Sequence, residues 1–150
     1  MAIAAVALSG WTVWWYSSAG DRVATPSGQC VMHQTRYLVN PAGVTRQAVL
    51  ATAYWPNAGH VRVWGCYQLD STDLSIDRSG KLSTTFSEGG ARLCHVDQIH
   101  FSAADSASNT TVPAVLPAAG GEIDLNFSRI NARAWIVTSG RDHVGLCISQ

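Results

Sequence analysis

The four cysteines are the residues with the most definite chemistry in this chain. They stand at Cys30, Cys66, Cys94 and Cys147, which is too widely spaced for a zinc knuckle or a C-x-x-C redox pair. An even number of well-separated cysteines in a charge-poor chain is typical of disulfides formed in an oxidising compartment. We therefore predict two disulfides, with all three connectivities open. Four buried free thiols, acting as small apolar side chains, are the alternative.

Histidines and carboxylates near the middle of the chain could in principle hold a metal. His95 and Asp97 would share one face of a strand, but His100 would point to the opposite face. We therefore interpret the histidines as structural. Asp70, Asp73 and Asp77 lack the central glycine of a calcium-binding EF-hand loop and are interpreted as a solvated turn. The sequence predicts no metal site and no cofactor.

Candidate catalytic groups are equally unspecific. Glu122 and Asp124 lie two positions apart, as a pair of glycosidase carboxylates could, but such pairs on strands are usually only solubilising. No G-x-S-x-G elbow, phosphate-binding glycine loop or dinucleotide fingerprint occurs in the sequence. We expect a protein that is not an enzyme.

The six tryptophans indicate recognition by contact. Tryptophan combines a large apolar face with a polar tip and is enriched at interfaces. Trp55 and Trp135 are assigned to the core. Trp14, Trp15 and Trp64, with Arg62 beside the last, are assigned to an exposed aromatic-rich surface that binds a partner.

Composition narrows the class of partner. The chain is 47% apolar and only 13% charged, with ten basic and ten acidic residues. A nucleic-acid partner needs a basic surface, so it is excluded. Low charge promotes association, and we expect packing against copies of the chain or a larger assembly.

The first 19 residues admit three interpretations. We favour two strands, over residues 3–8 and 11–16, separated by the Ser9-Gly10 turn. A membrane anchor over residues 2–16, with an interfacial belt of aromatic residues, is the alternative, although it is short for a span. A signal peptide cleaved after residues 17–19 is the third.

The elements that must position these residues are short strands. Apolar and polar residues alternate, and turn signals recur every eight to twelve residues; for example, Pro56-Asn57-Ala58-Gly59 separates strands over 47–55 and 60–69. On the second of these strands, Val61 and Val63 share one face, and Arg62 and Trp64 share the other. Gly65 is a candidate bulge that would reverse these faces.

Residues 1–150 are thus predicted to form one all-β domain, an antiparallel sandwich, jelly roll or barrel of about eight to ten strands. Further strands are expected over 31–39, 82–86, 92–101, 122–127, 132–138 and 143–148, with a turn at 78–80. Residues 102–119 are small, polar and proline-bearing, and they predict a long exposed loop that touches a partner.

These observations favour a non-catalytic structural or assembly protein, such as a component of a virion shell, surface appendage or envelope complex. It would lie outside the cell, on its surface or in a virion, or be membrane-anchored with an extracytoplasmic domain. A carbohydrate- or receptor-binding module is the alternative function, and a small hydrolase is the third.

Overall fold

The computed structural model describes residues 25–39, 43, 45–69, 72–107, 115–140 and 143–149. In these parts of the chain, eight antiparallel strands form a closed barrel in which each strand pairs with its neighbours in sequence, and β1 pairs with β8. The strands are β1 (Cys30–Val39), β2 (Thr45–Trp55), β3 (His60–Leu69), β4 (Thr72–Glu88), β5 (Ala91–Phe101), β6 (Glu122–Arg129), β7 (Ala134–Ser139) and β8 (His143–Ser149). The predicted all-β antiparallel class is confirmed. The strands predicted over 3–8 and 11–16, and the alternative anchor, lie outside the described residues.

Alternation along each strand decides which side chains enter the barrel. On β6, Ile123, Leu125 and Phe127 are buried, whereas the residues between them are exposed. Successive side chains of a strand point to opposite faces, so this pattern places one face against the core and the other in water. The inner wall of the barrel therefore forms the hydrophobic core, whose largest fully buried side chains include Tyr67, Met32 and Leu50.

A disulfide lies beside the seam where the barrel closes. Cys30 on β1 and Cys147 on β8 are fully buried and bonded, with their Cα atoms 5.4 Å apart. The two strands also pair through Val31 and Ile148. Because the bonded residues are 117 positions apart, the bridge restricts a large loop in the unfolded chain.

The two ends of the barrel differ. At the turn end, which carries the β2–β3 and β4–β5 turns, residues 25–29 pack across the opening. Thr25 is buried and its Oγ1 accepts a hydrogen bond from Arg92 Nη2 at 3.2 Å, while Asn57 Nδ2 donates to Ser27 O at 3.2 Å. The opposite end, called the loop end, carries the long connection between β5 and β6.

Strand β4 corrects the prediction of a turn at 78–80 followed by a separate strand. Gly80 faces inward, and a Cβ there would meet Val61 Cγ1 at 3.1 Å, so the glycine makes room for close packing while the strand continues. The prediction of a solvated acidic turn over Asp70, Asp73 and Asp77 is also wrong for the two residues that the structure describes. Asp73 and Asp77 lie on β4 and are about 13 Å apart along an extended strand. Asp70 lies outside the described residues.

The connection over 102–119 is not a wholly exposed loop. Ala107, Val115 and Leu116 are buried, and the side chain of Asp105 is 2% exposed, so the described parts fold back onto the barrel. Composition did not predict this burial, because small and proline-bearing segments are usually exposed. Residues 108–114 lie outside the description.

Gly65 is not a bulge. Pairing between β2 and β3 is continuous through Leu50 and Gly65. At Gly65, where φ is +153°, a Cβ would collide with the backbone of Val49, so glycine permits the close approach of the two strands. Register shifts occur instead between β4 and β5, at Lys81/Leu82 and at Thr84/Phe86.

Candidate ligand-binding cavity

A cavity of about 320 Å³ lies between the inner wall of the barrel and residues 115–117 of the β5–β6 connection. Its apolar lining comes from the barrel wall and from this segment, and its polar lining comes mainly from β1, β2 and the end of β7. Exposed residues at the ends of β6 and β7 form its rim. The lining residues are Arg36, Thr52, Tyr54, Val63, Val115, Leu116, Pro117, Glu122, Ile123, Asp124, Ser139 and Gly140.

Strand periodicity brings the polar groups inside. Thr52 and Tyr54 belong to the same face of β2 as the buried Ala48 and Leu50. Cross-strand pairing sets Thr52 opposite Met32 and Tyr54 opposite Cys30. Arg36 has the same parity on β1 as those two partners, so it too is directed inward.

Two hydroxyl groups in the barrel interior have no hydrogen-bond partner within the described structure. Thr52 Oγ1 is buried in the cavity wall, and Tyr67 OH is buried on the inner face of β3. An unpaired buried polar group costs about 1–3 kcal/mol. Thr52 therefore offers a ready donor or acceptor to a molecule in the cavity.

Tyr54 and Arg36 influence each other across the cavity. Burial raises the pKa of the Tyr54 phenol, while the positive charge of Arg36 and a hydrogen bond with Ser139 oppose this shift. Desolvation lowers the pKa of the Arg36 guanidinium, and Tyr54 opposes that change. The phenol is thus held neutral, and the half-buried guanidinium pays a desolvation cost.

An ion pair anchors the β5–β6 connection, whose later residues 115–117 line the cavity. Arg78 Nε donates to Asp105 Oδ2 at 2.7 Å, and Arg78 Nη2 donates to the carbonyl of Ala107 at 3.0 Å. The backbone N–H of Ser106 also donates to Ser75 O at 2.9 Å. These bonds fix the start of the connection against β4.

Two of the partner-binding residues predicted from sequence, Arg62 and Trp64, lie elsewhere, on the outer wall. Arg62 and Trp64 project outward from β3, and the Arg62 guanidinium stacks over the Trp64 ring at 5.6 Å. Arg62 also makes two 2.9 Å bonds to the Asp77 carboxylate. The expected division of β3 into a buried Val61/Val63 face and an outer Arg62/Trp64 face is confirmed. Trp14 and Trp15 lie outside the described residues.

Of the two tryptophans assigned to the core from sequence, the structure confirms one. Trp135 is buried as expected, but Trp55 is half-buried, with its ring 5.1 Å from that of His60. No cluster of exposed aromatic rings occurs in the described part of the chain. The predicted aromatic-rich surface is therefore not found among those residues.

The second predicted disulfide does not form. Cys66 is an exposed thiol on the outer face of β3, whereas Cys94 is a buried thiol on the inner face of β5. The barrel wall separates the two sulfurs, so they cannot bond without breaking strand β4 from its neighbours. Burial raises the pKa of the Cys94 thiol, which is near Thr84.

The remaining candidate groups are dispersed. Asp97 accepts a hydrogen bond from Ser83 at 2.8 Å, and His100 pairs across the strands with Ser79. Glu122 and Asp124 stand on the exposed face of β6, at the cavity rim. Among the described residues, no three metal-ligating side chains come together.

The outer wall also carries an apolar face, formed by Ile136 on β7 and by Val144, Leu146 and Ile148 on β8. Val144 is 67% exposed and Leu146 is 56% exposed. Pairing places Ile136 opposite Leu146, so the face is continuous across two strands.

Sequence reasoning missed the cavity residues Arg36, Thr52 and Tyr54. A signal was present on β2, because Thr52 interrupts an inner face that also carries Ala48 and Leu50, whereas on β1 Arg36 shares its face with the polar Gln34 as well as with Met32. Polar residues at inward positions of a barrel are unusual unless they have a partner. However, the sequence does not show that the strands close into a barrel, so it did not indicate that these residues line one cavity.

No helix in the described parts of the chain has the length and hydrophobicity required to cross a bilayer. Comparisons of the chain with protein-family models, with curated proteins and with solved structures gave no match. The functional assignment therefore depends on the geometry of the cavity and of the outer surfaces.

Proposed function

We propose that this protein is a non-catalytic binding protein that holds a small, largely apolar molecule inside its barrel. The observation that carries the proposal is the cavity beneath residues 115–117, whose wall contains the buried, unpartnered Thr52 Oγ1. A closed eight-stranded barrel is just wide enough either to fill with side chains or to hold one small ligand.

The lining suits such a ligand. Val63, Leu116 and Ile123 supply apolar surface, and each square ångström of apolar area removed from water contributes about 25 cal/mol. A few polar groups among apolar walls are the usual composition of a small-molecule site, because the polar groups fix orientation. At about 320 Å³ the cavity is at the small end of such sites.

The test is binding of phenylnaphthylamine, a neutral dye that fluoresces in apolar surroundings. Val115→Trp places a large ring at the cavity wall, and we expect it to weaken dye binding at least tenfold. Val144→Ser, on the outer apolar face, should leave binding unchanged. Circular dichroism of both variants checks that the barrel is intact. Binding that responds to Val144→Ser but not to Val115→Trp would place the dye outside and refute the proposal.

As a second candidate we propose assembly with copies of the same chain through the outer apolar face. The exposed Val144 and Leu146 side chains and the low charge of the chain support this function. Such a protein could form part of a virion shell, surface appendage or envelope complex. Its location would be extracellular, on a cell surface or in a virion, and the Cys30–Cys147 disulfide is compatible with that location.

Light scattering after size-exclusion chromatography tests the second candidate. We expect Leu146→Asp to convert an oligomer into a monomer, while Lys81→Asp on the opposite wall changes nothing. A wild-type protein that is monomeric at high concentration would refute self-assembly. The carbohydrate-binding alternative stays a prediction. It depends on Trp14, Trp15 and Trp64, and of these three residues the structure describes Trp64.

A further inference from the structure

The strongest unassigned feature is the guanidinium of Arg36 at the cavity wall. Its Nε donates to Gln34 Oε1 at 2.8 Å, which is a neutral partner. Among the described residues, the ion pairs are those of Arg62 with Asp77 and of Arg78 with Asp105, and neither involves Arg36. A half-buried arginine without a carboxylate is costly, and most buried charges are paired.

We propose that the ligand of this cavity carries an anionic group, such as a carboxylate, which binds Arg36 while its apolar part lies against Val63, Leu116 and Ile123. This inference rests on the proposed binding function and adds the chemical class of the ligand. A guanidinium presents a planar set of donors that matches a carboxylate, and its Nη groups are additional to the Nε bond with Gln34.

Neighbouring hydroxyls extend the same site. Thr52 Oγ1 is buried in the cavity wall without a partner, and Tyr54, held neutral by burial, can donate its phenolic proton. A carboxylate has two oxygens and about four acceptor positions. One anionic group could therefore accept from Arg36 and from one of these hydroxyls.

The acidic residues at the rim do not outweigh Arg36. Glu122 and Asp124 line the same cavity, but both belong to the exposed face of β6. Water and salt screen exposed charges strongly, whereas a half-buried charge acts through a medium of lower polarity. The rim carboxylates would slow the approach of an anion more than they would weaken its binding to Arg36.

A pair of dyes with the same ring system separates charge from apolar contact. Anilinonaphthalene sulfonate is an anion, and phenylnaphthylamine is its neutral counterpart. We expect Arg36→Gln to weaken the sulfonate at least tenfold and the neutral dye less than twofold. Arg36→Lys, which keeps the charge but not the fork of donors, should give an intermediate loss. Arg133→Gln, at the exposed β6–β7 turn, is the matched control and should change neither affinity.

The outcomes distinguish this inference from the proposed function. If Val115→Trp weakens both dyes but Arg36→Gln weakens neither, the ligand class is wrong and the cavity still binds small molecules. If Val115→Trp affects neither dye, the proposed function fails and the inference fails with it. Should Arg36→Gln not fold, Arg36→Lys decides, because it keeps the charge and removes the fork of donors. A weaker affinity for the sulfonate with an unchanged affinity for the neutral dye then supports the inference, and equal changes in the two affinities overturn it.

Discussion

Arg78 and Asp105 form an ion pair that is almost completely enclosed by protein. Arg78 Nε lies 2.7 Å from Asp105 Oδ2, and the two side chains are only 4% and 2% exposed. The Arg78 guanidinium also lies over the Phe101 ring at 5.0 Å. The pair joins the inner face of β4 to the β5–β6 connection, which continues to the segment lining the cavity.

Removing one partner of this pair should destabilise the barrel. Asp105→Ala leaves the Arg78 charge buried without a counter-ion, and such changes cost about 3–5 kcal/mol. The double variant Arg78→Met/Asp105→Ala should recover much of that loss, because no buried charge remains. Urea unfolding of the three proteins measures both effects. A loss below about 1 kcal/mol in Asp105→Ala would mean that the arginine reaches water.

The same pair should make stability depend on pH. Burial raises the pKa of the Asp105 carboxyl, but hydrogen bonds from Arg78 and the backbone, together with the Arg78 charge, lower it overall. The unfolded chain therefore takes up a proton before the native state does, so the stabilisation is present above about pH 4 and is lost as pH falls through the native pKa.

Urea unfolding at a series of pH values between about 6 and 3 tests this dependence. The free energy of unfolding should fall more steeply with acid in the wild type than in Asp105→Asn. Part of the dependence of the unfolding free energy on pH should persist in that variant, because the pKa of Asp77 is also lowered, mainly by its hydrogen bond with Arg62. Parallel curves would show that Asp105 does not contribute.

The strands were largely predictable from the sequence because alternation is a local property. The inner and outer faces of β3, and the turn between β2 and β3, follow from residue order alone. The continuity of β4 was not predictable in this way. Gly80 resembles a turn residue in sequence, but its role depends on Val61 of the neighbouring strand.

The cavity could not be predicted without knowing that the strands close into a barrel. Arg36 and Tyr54 come from adjacent strands, but Val115 and Ser139 reach the same space from distant parts of the chain. Local patterns carry no information on which of the three expected all-β architectures brings such residues together. The missing second disulfide has a similar cause, since cysteine spacing does not tell whether two thiols face the same side of a wall.

The two free cysteines should differ in reactivity. Cys66 is exposed, whereas Cys94 is buried and its pKa is raised by burial, so it holds little of the reactive thiolate. A thiol reagent should label one site rapidly in the native protein, two after denaturation and four after denaturation with reduction. Mass spectrometry identifies the sites. No labelling without reduction would instead support a second disulfide.

Two tryptophans on opposite sides of the wall should respond differently to truncation. Trp135 is buried inside the barrel, and its replacement by alanine should cost about 3–5 kcal/mol through the cavity it leaves. Trp64 faces outward, and its ring lies beneath the guanidinium of Arg62 on the same face. We expect Trp64→Ala to leave the fold intact, because Val61 and Val63 on the opposite face keep their packing.

If Trp64 also anchors a partner, as its type and position suggest, Trp64→Ala should weaken association while urea unfolding changes by no more than about 1 kcal/mol. Arg62→Ala is the companion variant, since it removes the stacked guanidinium and the bond with Asp77. Light scattering and urea unfolding on the same samples distinguish a loss of association from a loss of folding stability. Unfolding of Trp64→Ala as severe as that of Trp135→Ala would show that Trp64 supports the barrel itself.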